Sequence, residues 1–169
     1  MQLFRPPIGL RLSQAARTVS RAFDDALDQA GGSLPVWLIL LNLKMRRPPS
    51  QRELALAVGV RDATLTHHLN AMDSRGLITR RRDLENRRIH VVELTEAGEA
   101  AFLRLREAAT AFDSRLRAGL SSAELDQLGE LLGRLAANVG GTEQGAAPWA
   151  GLVEDPAKQA RRAAKPTGL

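Results

Sequence analysis

The sequence predicts a mainly α fold with a small β-wing, a winged helix-turn-helix set between long N- and C-terminal dimerisation helices. Three observations predict this fold. Two short helical segments joined by a glycine-containing turn, within residues 50–76, are typical of a helix-turn-helix. Two strand-like segments follow within residues 77–94, and they carry five arginines between positions 80 and 88. Long amphipathic segments lie on both sides, over residues 12–27 and 96–139.

The N-terminal part predicts two helices separated by a pair of glycines, Gly31 and Gly32. The first helix carries apolar residues at steps of four and three, which place them on one face: Leu12, Ala16, Val19, Phe23 and Leu27. The second helix follows Ser33 over LPVWLILLNLK. Because it is apolar nearly all round, we expect it to be buried on most sides.

The helix-turn-helix begins at Ser50, where a capping box with Glu53 predicts the start of a short helix that Gly59 ends. The next helix ends at Gly76. Its core-facing positions recur at i, i+4 and i+7 and are Leu65, Leu69 and Met72.

The opposite face of this second helix carries the candidate base-contacting residues. Methyl groups there can touch thymine methyls, while hydroxyl, imidazole and amide groups can exchange hydrogen bonds with base edges in the major groove. The residues predicted to contact DNA from this helix are Arg61, Ala63, Thr64, Thr66, His67 and Asn70. A plain solvated face of a helical protein is the alternative interpretation.

The arginines of the strand pair indicate an anionic partner. A hairpin tip has no core to fill, and the five arginines there meet only two acidic residues, Asp83 and Glu85. An arginine gains from the negative potential of a narrow minor groove, and further arginines can neutralise phosphates. The residues predicted to contact DNA from this wing are Arg80, Arg82, Arg87 and Arg88.

Two helices and a tail complete the chain. Thr95 caps a long helix that Gly119 terminates, and a capping box of Ser121 with Glu124 opens the last helix. The apolar faces of the end helices exceed what the small middle part can cover, so we expect a partner subunit. Residues from 140 onward are rich in Ala, Gly and Pro, which predicts a flexible tail.

These patterns divide the chain into four parts: an N-terminal dimerisation helix at 1–32, a DNA-binding lobe at 33–94, C-terminal dimerisation helices at 95–139 and the tail at 140–169. Hydrophobic residues make up 44% of the chain, which is enough for a core, and the net charge of +5 permits an anionic partner.

Composition and motifs exclude several other classes. The absence of cysteine excludes disulfides, thiol redox sensing and cysteine-ligated metals. No apolar run is long enough to span a bilayer and the N-terminus lacks a signal-peptide core, so we expect a cytoplasmic protein without a membrane partner. His67 and His68 are adjacent and cannot share a metal from one helix face. Without a Gly-rich phosphate loop or nucleophile elbow, we expect no catalytic residues, no metal, no cofactor and no enzyme activity.

The segment TLTHHLNAMDSRGLITR, followed by NRRIHVVELTEAG, resembles the recognition helix and wing of MarR-type winged helix-turn-helix regulators. The resemblance extends over about residues 10–139. The family carries a D-x-R pattern ahead of a Leu-Thr-x-x-Gly sequence, and Asn86-Arg87-Arg88 occupies that place here. The wing arginine therefore maps onto Arg88, while Asn86 replaces the usual aspartate.

The resemblance implies a homodimer joined through its first and last helices. Two recognition helices would meet a pseudo-palindromic double-stranded operator roughly one helical turn apart. Ser50 and Gln51 would contact the DNA backbone at the start of the short helix. Trp37 would line a pocket for a small aromatic, commonly phenolic, effector; a core tryptophan is the alternative.

The sequence thus predicts a sequence-specific transcriptional regulator, a homodimeric repressor that a small aromatic or phenolic ligand releases from DNA. An architectural DNA-binding protein without an effector is the alternative. A winged helix that binds protein instead of DNA is a third option, which would leave the arginine wing without a use.

Overall fold

The computed structural model describes residues 6–45, 50–82 and 90–139, with backbone alone at positions 82, 90 and 91. The order of elements matches the prediction. The helices and strands are α1 Ile8–Gln29, α2 Leu34–Met45, α3 Gln51–Val58, α4 Asp62–Ser74, β1 Ile78–Arg82, β2 His90–Leu94, α5 Glu96–Leu116 and α6 Ser122–Asn138. The wing tip and the tail lie outside the described residues, and the proposed division into four parts stays a prediction.

The main core lies where α2 packs against α3, α4 and the first half of α5. The side chains of α2 that are buried lie on several sides of the helix: Trp37, Ile39, Leu40, Asn42 and Leu43. This confirms the expectation that the second helix is buried on most sides. The predicted core positions of α4 are also confirmed, because Leu65, Leu69 and Met72 are each at most 1% exposed.

Strands β1 and β2 form a two-stranded antiparallel sheet in which Ile78 pairs with Leu94 and Arg80 with Val92. Ile78 is buried and anchors the sheet to the lobe. The sheet contacts α2 and α4. Together with the preceding helices, this small sheet confirms the predicted winged helix-turn-helix.

Side-chain caps begin three of the helices. Ser50 Oγ accepts a hydrogen bond from the amide of Glu53 at 3.2 Å, and Thr95 Oγ1 accepts from the amide of Gly98 at 3.0 Å. Ser121 and Glu124 form the full capping box at the start of α6. Each cap satisfies an amide that the first helical turn leaves unpaired, which is why the sequence located these three starts.

The end helices leave most of their apolar side chains uncovered. Leu27 is the one buried residue of α1, and α6 contains none. The rings of Phe23 and Phe112 join α1 to α5 with their centroids 4.9 Å apart. Large apolar side chains of α1 and α6 that remain exposed are Ile8, Leu10, Leu12, Leu128, Leu131 and Leu132.

Candidate nucleic-acid interface

The turn between α3 and α4 sets the direction of the second helix of the motif. Gly59 adopts a left-handed conformation with φ of 77°, which suits glycine because it has no Cβ. The amides of Gly59 and Val60 both donate to the carbonyl of Ala55 and so close the end of α3. Arg61 then takes an extended conformation before α4 begins at Asp62.

Helix α4 presents the predicted contact residues to solvent. Its buried stripe faces the lobe, and the residues predicted to contact DNA are exposed: Arg61, Ala63, Thr64, Thr66, His67 and Asn70. His68 is half-buried, as its angular position predicts. The exposed stripe therefore combines methyl, hydroxyl, imidazole and amide groups on one side of the helix.

Two of these polar groups are already engaged within the chain. Thr66 Oγ1 donates its hydrogen to the carbonyl of Asp62 at 2.9 Å, so the hydroxyl faces a ligand as an acceptor. Asn70 Oδ1 accepts a hydrogen bond from Arg80 Nη1 at 2.6 Å. The contact joins α4 to strand β1, and the sequence did not reveal it because the two residues belong to different elements.

The two described arginine side chains of β1 differ in their surroundings. Arg81 makes a bidentate ion pair with Glu93 of β2, at 2.9 and 3.0 Å. Arg80 is half-buried, and its Nε is enclosed without a partner among the described residues. Position 82 belongs to β1, while the predicted wing residues Arg87 and Arg88 lie outside the described part of the chain.

The start of α3 holds Ser50 and Gln51 as predicted, one as the N-cap and the other as the first helical residue. The Ser50 hydroxyl oxygen is used by the Glu53 amide. Gln51 is half-buried, and its Nε2 is enclosed without a partner among the described residues. A phosphate at this helix start would meet backbone amides. Contact with the DNA backbone stays a prediction.

Trp37 lies in the core and not on an open surface. Its indole is 8% exposed and stacks on the ring of Phe102 with centroids 5.8 Å apart and planes 15° from parallel. This packing agrees with the alternative interpretation, in which Trp37 is a core residue. Its predicted role in an effector pocket stays a prediction.

The C-terminal end of α4 is tied to both long helices that flank the lobe. Arg75 Nη2 donates to the carbonyl of Gly31, just after α1, at 3.2 Å. Thr95 Oγ1, at the start of α5, donates to the carbonyl of Gly76 at 2.6 Å. Because both acceptors are backbone carbonyls, no side-chain pattern in the sequence could have indicated these contacts.

A groove of about 600 Å³ lies between α1 and α5, away from the exposed stripe of α4. Its lining consists of four alanines, one aromatic ring, two arginines, one glutamate and one glutamine: Ala26, Ala30, Ala108, Ala111, Phe112, Arg104, Arg115, Glu107 and Gln29. The guanidinium of Arg115 lies 5.5 Å from the centre of the Phe112 ring. The lining is therefore largely apolar, and its charged side chains are two arginines and one glutamate.

Comparison with known proteins gives the family. The family model described as MarR matches residues 33–90. The chain is 31% identical to the transcriptional regulator PA3341, over 79% of this chain and 98% of that one, with a TM-score of 0.64. The chain belongs to the MarR family. A probable transcriptional regulator from Pseudomonas aeruginosa is 30% identical, over 76% of this chain and 96% of that one, with a TM-score of 0.66.

A further MarR-like structure was solved with DNA. The transcriptional repressor CouR, bound to a 23-mer DNA duplex, is 27% identical over 77% of this chain and 92% of that chain, with a TM-score of 0.69. The MarR family consists of transcriptional regulators, which agrees with the regulatory function predicted from the sequence.

The described ranges also bear on metal binding and membrane insertion. No group of three His, Asp or Glu residues there could hold a metal, and no helix there is long and apolar enough to cross a membrane.

Proposed function

We propose that this MarR-family protein is a homodimer that binds a pseudo-palindromic double-stranded operator and represses transcription until a small aromatic ligand releases it. The observation that carries the proposal is the exposed stripe of α4, in which His67 and Asn70 lie on one side of a helix whose other side is buried. A helix of this kind can lie in a major groove with its hydrogen-bonding groups toward the base edges.

The distribution of charge in the lobe supports different roles for α4 and the wing in DNA binding. The stripe of α4 offers few charges, so it suits discrimination between bases more than non-specific attraction to phosphates. The arginines of the wing supply the sequence-independent attraction, with Arg88 proposed to enter the minor groove. An architectural protein would be expected to carry a row of cations in place of the stripe.

The uncovered apolar faces of α1 and α6 support the homodimer. Leu128, Leu131 and Leu132 all lie in α6, a helix of 17 residues. The side chain of each is between 40% and 48% exposed. Exposed apolar side chains concentrated on single faces are typical of protein interfaces. A second copy that covers these faces would place two recognition helices on one side of the assembly, as an inverted repeat requires.

The groove between α1 and α5 supports a ligand near the proposed dimer helices. An aromatic acid could place its ring against Phe112 and its carboxylate near Arg104 or Arg115. Among the structural matches, CouR from Rhodococcus jostii RHA1 was solved bound to p-coumaroyl-CoA, at 23% identity and a TM-score of 0.64. That complex supports the choice of aromatic acids and their thioesters as the first ligands to test.

The experiment that tests the function is a footprint of the pure protein on the DNA upstream of its own gene. We expect a protected inverted repeat whose half-sites lie about one helical turn apart. The protected duplex and a scrambled duplex are then titrated in rising salt. Binding to the protected sequence should persist where binding to the scrambled one fails, since base contacts do not depend on counterion release.

The same duplex tests the ligand. Phenolic acids and p-coumaroyl-CoA are added to the complex, and release of DNA is the expected result. Arg104→Ala should bind the duplex normally but should no longer release it when ligand is added. Arg17→Ala, which changes an exposed residue of α1, serves as a control that keeps both DNA binding and release by ligand.

One result of the footprint would contradict the proposed function. Uniform protection of all DNA, with no preferred sequence, would favour an architectural role.

A further inference from the structure

The contact between Asn70 and Arg80 restricts what the recognition helix can offer to a base. A guanidinium has only donors, so the atom of Asn70 that faces Arg80 must be its carbonyl oxygen, as the 2.6 Å contact to Oδ1 shows. The amide nitrogen, Nδ2, then lies on the other branch of the planar amide. Asn70 itself is exposed, and Nδ2 has no hydrogen-bond partner among the described residues.

The surroundings of Arg80 make this orientation persistent. The side chain is half-buried between α4 and β1, and the enclosure of its Nε limits its freedom to swing away. A hydrogen bond from a charged donor is shorter and stronger than one between neutral groups. Arg81, the next residue, is committed to Glu93 on β2 and does not compete for Asn70.

A fixed amide changes the base that asparagine can recognise. An unrestrained asparagine reads adenine in the major groove by donating to N7 and accepting from the N6 amino group, and this requires both ends of the amide. Arg80 engages one of the two lone pairs of Oδ1, so the N–H donors of Nδ2 are the groups of Asn70 that stay fully available to a base. Adenine N7 can still accept from Nδ2, but the N6 amino group beside it then lacks its acceptor. Guanine presents two acceptors in the major groove, N7 and O6, and thymine presents O4 with no neighbouring donor.

We propose that Arg80 is a specificity-determining residue, which holds Asn70 so that the recognition helix selects guanine or thymine and disfavours adenine at one position of each half-site. The inference rests on the proposed function, because it concerns the DNA that α4 reads. It assigns Arg80 a positioning role in addition to any contact with phosphate. Asn70 is the residue that touches the base.

The test is selection of bound sequences from a randomised duplex library by the wild-type chain and three variants of it. The wild-type chain should enrich guanine or thymine at one position of each half-site. Arg80→Met removes the donor while keeping an unbranched side chain, which frees Oδ1 of Asn70. Adenine should then be enriched at that position, with a change on the order of tenfold relative to guanine or thymine.

Asn70→Asp provides a second, independent variant. The carboxylate keeps the contact with Arg80 and offers only acceptors to the base, so the preference at the same position should move toward cytosine, whose N4 amino group donates. Arg81→Met is the matched control, since it removes a neighbouring arginine that does not touch Asn70. It should select the wild-type sequence.

The outcomes separate the inference from the proposed function. If the wild-type protein selects no consensus, the proposed function fails and the inference fails with it. If the wild-type protein selects a consensus that Arg80→Met and Asn70→Asp both reproduce, the proposed function is supported and the inference about Arg80 is overturned. Should Arg80→Met fold poorly or bind too weakly for selection, Asn70→Asp identifies the position that residue 70 reads. Guanine or thymine at that position in the wild-type consensus then supports the inference, and adenine there overturns it.

Discussion

Replacing Gly98 with alanine tests how the start of α5 is joined to the end of the recognition helix. Gly98 lies in the first turn of α5, directly against the backbone of Leu77. A Cβ at position 98 would overlap the carbonyl oxygen of Leu77 and lie 3.0 Å from its carbonyl carbon. The same carbonyl accepts a hydrogen bond from the amide of Thr95 at 3.1 Å.

The expected loss follows from these contacts. The obstructing atoms belong to the backbone and cannot rotate away, so α5 and the turn must separate. Inserting a methyl group into a packed site costs about 1 to 3 kcal/mol. Losing the hydrogen bond between Thr95 and Leu77 adds about 1 kcal/mol. We therefore expect Gly98→Ala to lower the free energy of unfolding by about 2 to 4 kcal/mol.

Gly133→Ala is the matched control. Gly133 lies in the interior of α6, and a Cβ there would have no neighbour within 4 Å. Alanine costs less conformational entropy in a helix than glycine, so this change should raise the free energy of unfolding by about 0.5 to 1 kcal/mol. The two glycine-to-alanine changes are therefore expected to have opposite signs.

The assay is urea denaturation followed by circular dichroism, at one fixed protein concentration because the stability of the proposed dimer would depend on concentration. Equal dependence on urea in all three proteins would show that the change is one of stability. The reasoning is refuted if Gly98→Ala unfolds at the same urea concentration as the wild-type protein, since the backbone would then accommodate a Cβ at no cost.

Three further changes address other parts of the molecule. Asn42 is fully buried and its Oδ1 has no partner among the described residues, so Asn42→Leu should raise the free energy of unfolding by about 1 to 3 kcal/mol; a loss of stability in urea would contradict this. Hydrogen bonds from the backbone and side chain of Ser121 hold the pKa of Glu124 below its usual value of 4.5. Its carboxylate therefore stabilises the folded state above that pH, and the contribution is lost as the pH falls through the lowered pKa. Glu124→Gln should show a smaller acid-dependent decrease in melting temperature below about pH 4.5, and identical acid profiles would count against it. Leu132→Asp should convert the proposed dimer to monomer in sedimentation equilibrium, whereas Arg134→Asp on the polar side of α6 should not; a dimeric Leu132→Asp protein would place the interface elsewhere.

The sequence alone was sufficient for the order of the elements and for the buried sides of α2 and α4. The capping box of Ser121 with Glu124 located the start of α6, and the spacing of Leu65, Leu69 and Met72 identified the buried face of α4. These features depend on residues within one or two turns of a helix, so their interactions are determined by the local chain. The resemblance of residues 64–80 and 86–98 to MarR regulators likewise rests on contiguous motifs.

The tertiary structure decided which polar groups remain available to a partner. Whether Asn70 offers both ends of its amide depends on Arg80, which reaches it only because β1 packs beside α4. The glycine at position 98 is explained by the carbonyl of Leu77, and the surroundings of Trp37 by the ring of Phe102. Such contacts join separate elements whose distance is set by packing of the whole lobe, and no local periodicity encodes that distance. Sequence therefore determined the elements and the buried face of α4, and packing determined the hydrogen-bonding groups that α4 presents.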